Sequence, residues 1–206
     1  MDYPTGFHVS DTSFTYDNLG NRTQVGSTLY LPNPLNQYTV VGSTNLSYDA
    51  NGNLTTDGTN TYTYDSENRL RTATGAFGSA SYTYDPFGRR LSKTINSTTT
   101  RFLYDGDDLL AETDSAGTLT ASYLYGPGID APLRMVRGGI TSYYHTDALG
   151  SIVALTDPTG VVVERAAYDV FGSPQLTDGA GTPLPQSARG NRFLFTGREY
   201  DQETGL

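Results

Sequence analysis

Cysteine and tryptophan are absent from the 206 residues, and methionine occurs only twice. Without cysteine the chain can form no disulfide, thiolate metal site or thiol nucleophile. The absence leaves the compartment open, since exported chains can also lack cysteine. His8 and His145 are the only histidines, too few for a multi-histidine metal centre, so neither metal nor cofactor is expected. No run approaches the roughly 18–20 apolar residues of a spanning helix. The N-terminus, Met1-Asp2-Tyr3-Pro4, lacks the basic and apolar stretches of a signal peptide. Membrane insertion is not expected, and any export signal would lie outside this segment. Positive charge is scarce, with 13 Lys and Arg against 22 Asp and Glu for a net charge of −9. That balance disfavours nucleic acid and anionic membranes, whose binding needs clustered cations that displace counterions. Lys93 is the only lysine, so the cations are almost all planar guanidinium forks suited to carboxylates.

Aromatic rings fill the space that aliphatics leave. Hydrophobic residues make up 36% of the chain with tyrosine counted, and there are 16 Tyr and 8 Phe. Buried tyrosine hydroxyls need partners, so a partly wet interior is expected. The rings recur in a repeat. Tyr16-Asp17-Asn18-Leu19-Gly20 returns as Tyr48-Asp49-Ala50-Asn51-Gly52, Tyr64-Asp65-Ser66-Glu67-Asn68, Tyr84-Asp85-Pro86-Phe87-Gly88, Tyr104-Asp105-Gly106 and Tyr168-Asp169-Val170-Phe171-Gly172. Degenerate copies stand at Tyr125-Gly126 and at His145-Thr146-Asp147-Ala148-Leu149-Gly150.

Each unit reads as a β-hairpin. Thr61-Tyr62-Thr63-Tyr64 and Ser81-Tyr82-Thr83-Tyr84 alternate, placing rings on one strand face and hydroxyls on the other. The Asp then opens a turn by offering its carboxylate to backbone N–H groups, and Gly or Asn takes the left-handed position that closes it. Asp114-Ser115-Ala116-Gly117 and Asp157-Pro158-Thr159-Gly160 carry the same chemistry without the tyrosine and are assigned to the intervening turns. Two segments read as irregular: Leu31 to Pro34, and 174–190, where Gly, Pro, Ser and Gln crowd. The fold expected is all-β, with tandem antiparallel hairpins of about 20 residues in one twisted, curled sheet, an open partial shell or barrel.

These residues resemble the Rhs and YD-repeat family, which includes bacterial polymorphic-toxin shells, cocoon components of Tc toxins and the animal teneurins. The Tyr-Asp units, the linker Asn33-Pro34-Leu35-Asn36-Gln37-Tyr38, the stretch Tyr143-Tyr144-His145-Thr146-Asp147 and the final Phe195-Thr196-Gly197-Arg198-Glu199-Tyr200-Asp201 carry the resemblance. It implies a secreted or cell-surface parent whose β-ribbon forms a hollow shell around a C-terminal toxic or signalling segment. The chain is then expected to be a fragment whose partners are further YD repeats or that cargo. The organisation expected is a lead-in over 1–13, a hairpin array over 14–173, an irregular loop over 174–190 and the start of a terminal block over 191–206. The segment from Asp201 to Leu206 echoes the family's Asp-Pro-x-Gly-Leu cleavage motif but lacks the proline.

Two functional classes follow. The first is a structural, encapsulating module with no chemistry of its own. The second is a hydrolase or carbohydrate-binding module that has recruited a pocket, its best candidates being the residues that break the repeat: His145, Asp147 and Arg134. For His145 the structural alternative is a ring packed where other repeats have Tyr. Asp49-Ala50-Asn51-Gly52-Asn53 has oxygens at alternate positions, as a calcium loop does, yet turn chemistry yields the same letters. Arg22, Arg69 and Arg89 are expected to pair with turn aspartates. Free sheet edges predict either an edge-to-edge homodimer or irregular segments tucked over the exposed strands.

Overall fold

The computed structural model describes residues 12–206; all but the last two residues of the expected lead-in lie outside them. The described chain is all-β and antiparallel. It runs β1 Phe14–Tyr16, β2 Arg22–Val25, β3 Thr28–Pro32, β4 Tyr38–Val41, β5 Thr44–Asn45, β6 Ser47–Tyr48, β7 Leu54–Thr56, β8 Thr61–Tyr64, β9 Leu70–Gly75 and β10 Gly78–Tyr84. It continues with β11 Arg90–Ile95, β12 Thr98–Asp105, β13 Asp108–Thr113, β14 Leu119–Tyr125, β15 Pro132–Arg137, β16 Ile140–Thr146, β17 Ile152–Thr156, β18 Val162–Tyr168, β19 Pro174–Asp178 and β20 Pro183–Leu184. Strands are hydrogen-bonded in sequence order in two sheets, β1–β5 and β6–β20, and neither closes into a barrel. The single sheet expected is therefore two. The break falls at Leu46, whose N–H still bonds Thr39 O at 2.9 Å, while Ser47 and Tyr48 pair with β7.

The described residues divide into two compact units, 12–83 with 94–97, and 84–93 with 98–206. In the first, rings and small residues alternate across the strands. Tyr62 lies opposite Ala73, which lies opposite Ala80, and all three are buried together with Tyr82. On the other face of β8 and β9, the Thr63 and Thr72 hydroxyls meet at 2.6 Å. The alternation read from the sequence is thus the buried and exposed faces of the hairpins.

In the second unit the core is Phe102, Leu109, Ala121, Tyr123, Met135, Tyr144, Ile152 and Leu155, with Phe193 of the terminal segment inserted among them. Leu194 O accepts from Ile152 N at 2.9 Å, and Ser151 Oγ accepts from Thr196 N at 3.1 Å. The terminal segment, which carries one 3-10 turn at Phe195–Gly197, therefore covers the buried face of the strands.

Both segments read as irregular prove more regular. Leu31 and Pro32 end β3, and Asn33-Pro34-Leu35-Asn36 is another capped turn, closed by Asn36 N to Asn33 O at 2.9 Å. Within 174–190, β19 and β20 form a hairpin around an Asp178 turn. Pro174 and Pro183 each open a strand, where a missing N–H is tolerated. The sequence reading weighted these prolines as breakers although their positions make them strand starts.

Candidate functional site

The Tyr-Asp repeats are the most numerous candidate site, and their polar atoms are committed to the fold. At Asp17, Oδ1 accepts the N–H groups of Leu19 at 2.9 Å and Asn21 at 2.8 Å, and Oδ2 accepts the Asn21 amide at 2.9 Å. The same pattern holds at Asp49, Asp65, Asp85, Asp114, Asp147, Asp157, Asp169 and Asp178 through their Oδ1 atoms, with Asn33 in the same role. These bonds to the ionised form hold Asp17, Asp49 and Asp65 below the ordinary carboxylate value. The candidate calcium loop at Asp49 is one such turn. Asp105 departs from the pattern: it pairs directly with Asp108 across a two-residue connection.

Tyrosine hydroxyls are committed too. Tyr48, Tyr64 and Tyr168 donate to the backbone carbonyls of Tyr38 at 2.9 Å, Leu54 at 2.9 Å and Ile152 at 2.6 Å. In each case the acceptor stands five residues after the Asn or Asp that opened an earlier turn, Asn33, Asp49 or Asp147. Tyr rather than Phe is needed because the hydroxyl joins one hairpin to the one before it.

The expected arginine pairs form at Arg69 with Asp65 and at Arg89 with Asp85, both at 2.7 Å. Arg22 behaves differently. It stands one residue further on, so Asn21 bonds Asp17 instead, and the Arg22 guanidinium stacks 4.2 Å from the Tyr30 ring centroid.

A second polar cluster, not anticipated from the sequence, lies under the terminal segment. Glu112 on β13 is 4% exposed. Its Oε1 accepts Tyr123 Oη–H, Arg137 Nη2–H at 2.7 Å and Arg192 Nη1–H at 3.1 Å. Burial opposes its charge, but Arg192 and Arg137 outweigh it and hold the carboxyl below its usual value. Asp201 is held low in the same way, by Arg90 at 2.6 Å and Lys93 at 2.8 Å against its burial. Lys93 also meets Glu203 at 2.9 Å, and Arg90 meets Glu199 at 3.3 Å. Arg192 lies 4.3 Å over the Phe102 ring. Phe193 stands edge-on to Tyr123, Tyr125 and Tyr144 at 5.2, 6.1 and 6.2 Å. An open pocket of about 180 Å³ lies here, and a cleft of about 620 Å³ lies beside β18–β20.

The residues singled out from the sequence are not gathered at either place. The ring position three residues before Asp147 is Tyr144, buried like Tyr62 before Asp65 and Tyr82 before Asp85. His145 takes the exposed position beside it, with Nε2 2.9 Å from Thr156 Oγ1. It does not pack where other repeats have tyrosine. Asp147 caps its turn, bonding the N–H groups of Leu149 and Ser151 at 2.8 and 2.9 Å. Arg134 is exposed on β15 opposite Leu124 and Tyr143. A trace of the buried cluster was available: Glu112 follows the apolar run Leu109-Leu110-Ala111 in its strand, and Arg192 is followed by Phe193 and Leu194.

Comparison with known proteins agrees with this geometry. The family model described as teneurin YD-shell matches residues 2–179. The tRNA nuclease WapA of Bacillus subtilis strain 168 is 39% identical over 206 residues, covering 94% of this chain and 9% of the relative. A double-stranded DNA deaminase toxin A of Burkholderia cenocepacia is 29% identical over 61% of this chain and 10% of its own length. The chain thus spans about a tenth of the curated relatives it matches. Among solved structures, TcdB2-TccC3 superposes over 93% of this chain and 11% of its own, with a TM-score of 0.60 at 18% identity. A Tc holotoxin pore of Photorhabdus luminescens superposes over the same shares, with a TM-score of 0.59 at 18% identity.

Proposed function

The chain belongs to the teneurin YD-shell family, and on that footing we propose that it is a structural wall segment of a larger exported toxin-type protein, with no catalytic chemistry of its own. The observation that carries this reading is the commitment of the repeat's functional groups: turn carboxylates accept backbone N–H groups, and Tyr48, Tyr64 and Tyr168 bond the preceding hairpin. A wall needs such groups turned to cohesion, whereas a catalyst needs some of them free at a shared point. In this reading His145 serves its contact with Thr156, Asp147 caps its turn, and Arg134 lies exposed opposite Leu124 and Tyr143.

In this reading the cargo of the parent lies outside these residues, and the domain order is an array over 14–173, a further hairpin within 174–190 and a docking segment over 191–206. In this reading the activities named for the relatives, tRNA cleavage and DNA deamination, belong to parts of those proteins outside the 9–10% that this chain covers. Its net charge of −9 disfavours gripping a phosphate backbone, and Arg69, Arg89, Arg90, Lys93, Arg137 and Arg192 are each paired with carboxylates. Among the described residues no helix is long and apolar enough to cross a membrane.

The test is a turnover screen of the purified chain against chromogenic esters, phosphoesters and glycosides, alongside His145→Ala. No turnover above buffer is expected from either. Turnover that His145→Ala abolishes would overturn the wall reading in favour of a recruited hydrolytic pocket.

A further inference from the structure

Four carboxyl groups are buried among the described residues, those of Asp85, Glu112, Glu164 and Asp201. Three of them meet a cation: Asp85 meets Arg89, Glu112 meets Arg137 and Arg192, and Asp201 meets Arg90 and Lys93. Glu164 forms no ion pair among the described residues; its Oε2 accepts the Ser187 hydroxyl at 2.8 Å. Ser187 Oγ in turn accepts the N–H groups of Arg189 at 3.2 Å and Asn191 at 2.9 Å. Asn191 then holds Phe193 from both sides, its Oδ1 accepting Phe193 N–H at 3.0 Å and its amide donating to Phe193 O at 2.8 Å. The buried carboxyl without a cation thus stands at the root of the terminal segment, at the head of the hydrogen-bond chain that sets Phe193 in place.

We propose that Glu164 and Ser187 form a pH-sensitive latch, through which the terminal segment docks most firmly in mildly acidic solution and loosens as the solution becomes neutral. This stands apart from the wall reading. The surroundings of Glu164 do little to hold a charge. Across the sheet it lies opposite Leu155 of β17 and Asp178 of β19, and Asp178 caps its own turn through Ala180 and Thr182. Arg165, next on β18, falls on the other face of the strand, and Tyr168 further along it is committed to Ile152 O. Burial raises the Glu164 pKa and outweighs the Ser187 bond and the charge of Arg189, which both favour ionisation. Its contribution to docking is therefore whole below the ordinary carboxylate range and lost as pH rises through the folded value. Glu112 and Asp201, despite burial, are held low by their cations, so their contribution is whole above that range and lost as pH falls. The two trends cross near the ordinary carboxylate value, about pH 4–5.

Ile152 N–H bonds Leu194 O and Tyr200 N–H bonds Arg192 O, so the amide-exchange protection of these two, corrected for the intrinsic rate at each pH, reads docking directly. In the full chain it should fall about threefold or more from pH 5 to pH 7.5. Asp114 N–H, which bonds Thr118 O within a hairpin turn, should hold steady. Glu164→Gln keeps the acceptor and cannot titrate, so its protection should be level across the same range. If that variant does not fold, the carboxyl carbon resonance of Glu164 in the unaltered chain decides the matter: it should titrate above the ordinary glutamate value, at the midpoint where protection is lost. Level protection in the unaltered chain, an equal fall in Glu164→Gln, a fall shared by Asp114, or a Glu164 midpoint at or below the ordinary value overturns the latch.

Discussion

Tyr64 illustrates what a single hydroxyl contributes. Its bond to Leu54 O is the kind of intramolecular bond worth about 0.5–1.5 kcal/mol net. Tyr64→Phe should destabilise the chain by about 1 kcal/mol in urea unfolding, while Tyr16→Phe, at a ring 55% exposed, should leave the midpoint unchanged. Equal effects would mean the ring alone matters. Glu164 illustrates a titration. It is 2% exposed, accepts Ser187 Oγ–H at 2.8 Å, and burial raises its pKa above 4.5 despite that bond. A carboxyl with a raised folded-state pKa stabilises fully below its unfolded value and loses that contribution as pH rises through the folded value. Glu164→Gln does not titrate, so the stability of the unaltered chain relative to this variant should fall on going from pH 4 to pH 8. A gap that is flat or of opposite sign across that window would show that Glu164 is not desolvated as described.

At the scale of the element, neighbouring turns along one rim are tied by side chains. Asn21 Nδ2 donates to Asn36 Oδ1 at 2.9 Å, Asn53 Nδ2 to Asn68 Oδ1 at 2.8 Å, and Arg89 Nη1 to Gly106 O at 2.5 Å. Asn68 also holds a left-handed backbone, φ 62°, which Asn and Gly tolerate better than other residues. Asn68→Gly should therefore lose only the tie, and Asn68→Ala both the tie and the backbone comfort, costing about 1 kcal/mol more. Amide exchange across residues 47–56 should quicken in both, more so in the alanine variant. Much of this level was legible in the sequence, because a turn is specified by the residues within it: Asp, then Gly or Asn three positions on. The errors came where one letter has two local meanings. Proline breaks a strand's interior but opens β19 and β20, and His145 sits one residue from the ring position, which in a strand means the opposite face.

For the molecule as a whole, the terminal segment could not be read, because its contacts join positions far apart in the chain. Arg192 reaches Glu112 and Asp201 reaches Arg90, and no local pattern encodes either pair. Phe193 is the apolar anchor of that segment, and Phe193→Ala should cost about 3–5 kcal/mol and expose 187–206 to limited proteolysis while the hairpins remain resistant. Uniform digestion of the whole chain would instead indicate one cooperative unit. The edge at β20 bears on assembly: Pro183 opens that strand and Pro185 follows it, and neither carries an N–H for a partner strand. Sedimentation is expected to give the same monomer mass at ten and two hundred micromolar, about a twentyfold range that would reveal edge pairing by mass action.

The two kinds of contact imply different tolerances to genetic change. A turn whose aspartate is satisfied within four residues carries its own instructions, so a hairpin flanked by such turns can be duplicated or deleted in frame without disturbing its neighbours' caps. The Glu112–Arg192 pair has no such freedom: the ribbon between them must return Arg192 over β13, and adding or removing a hairpin there would carry the guanidinium past its carboxylate. Length variation among descendants of this chain should accordingly gather before Arg90, where the repeats keep no count, and be purged between Arg90 and Arg192, where the pairs of Arg90 and Lys93 with Asp201 and of Glu112 with Arg192 do.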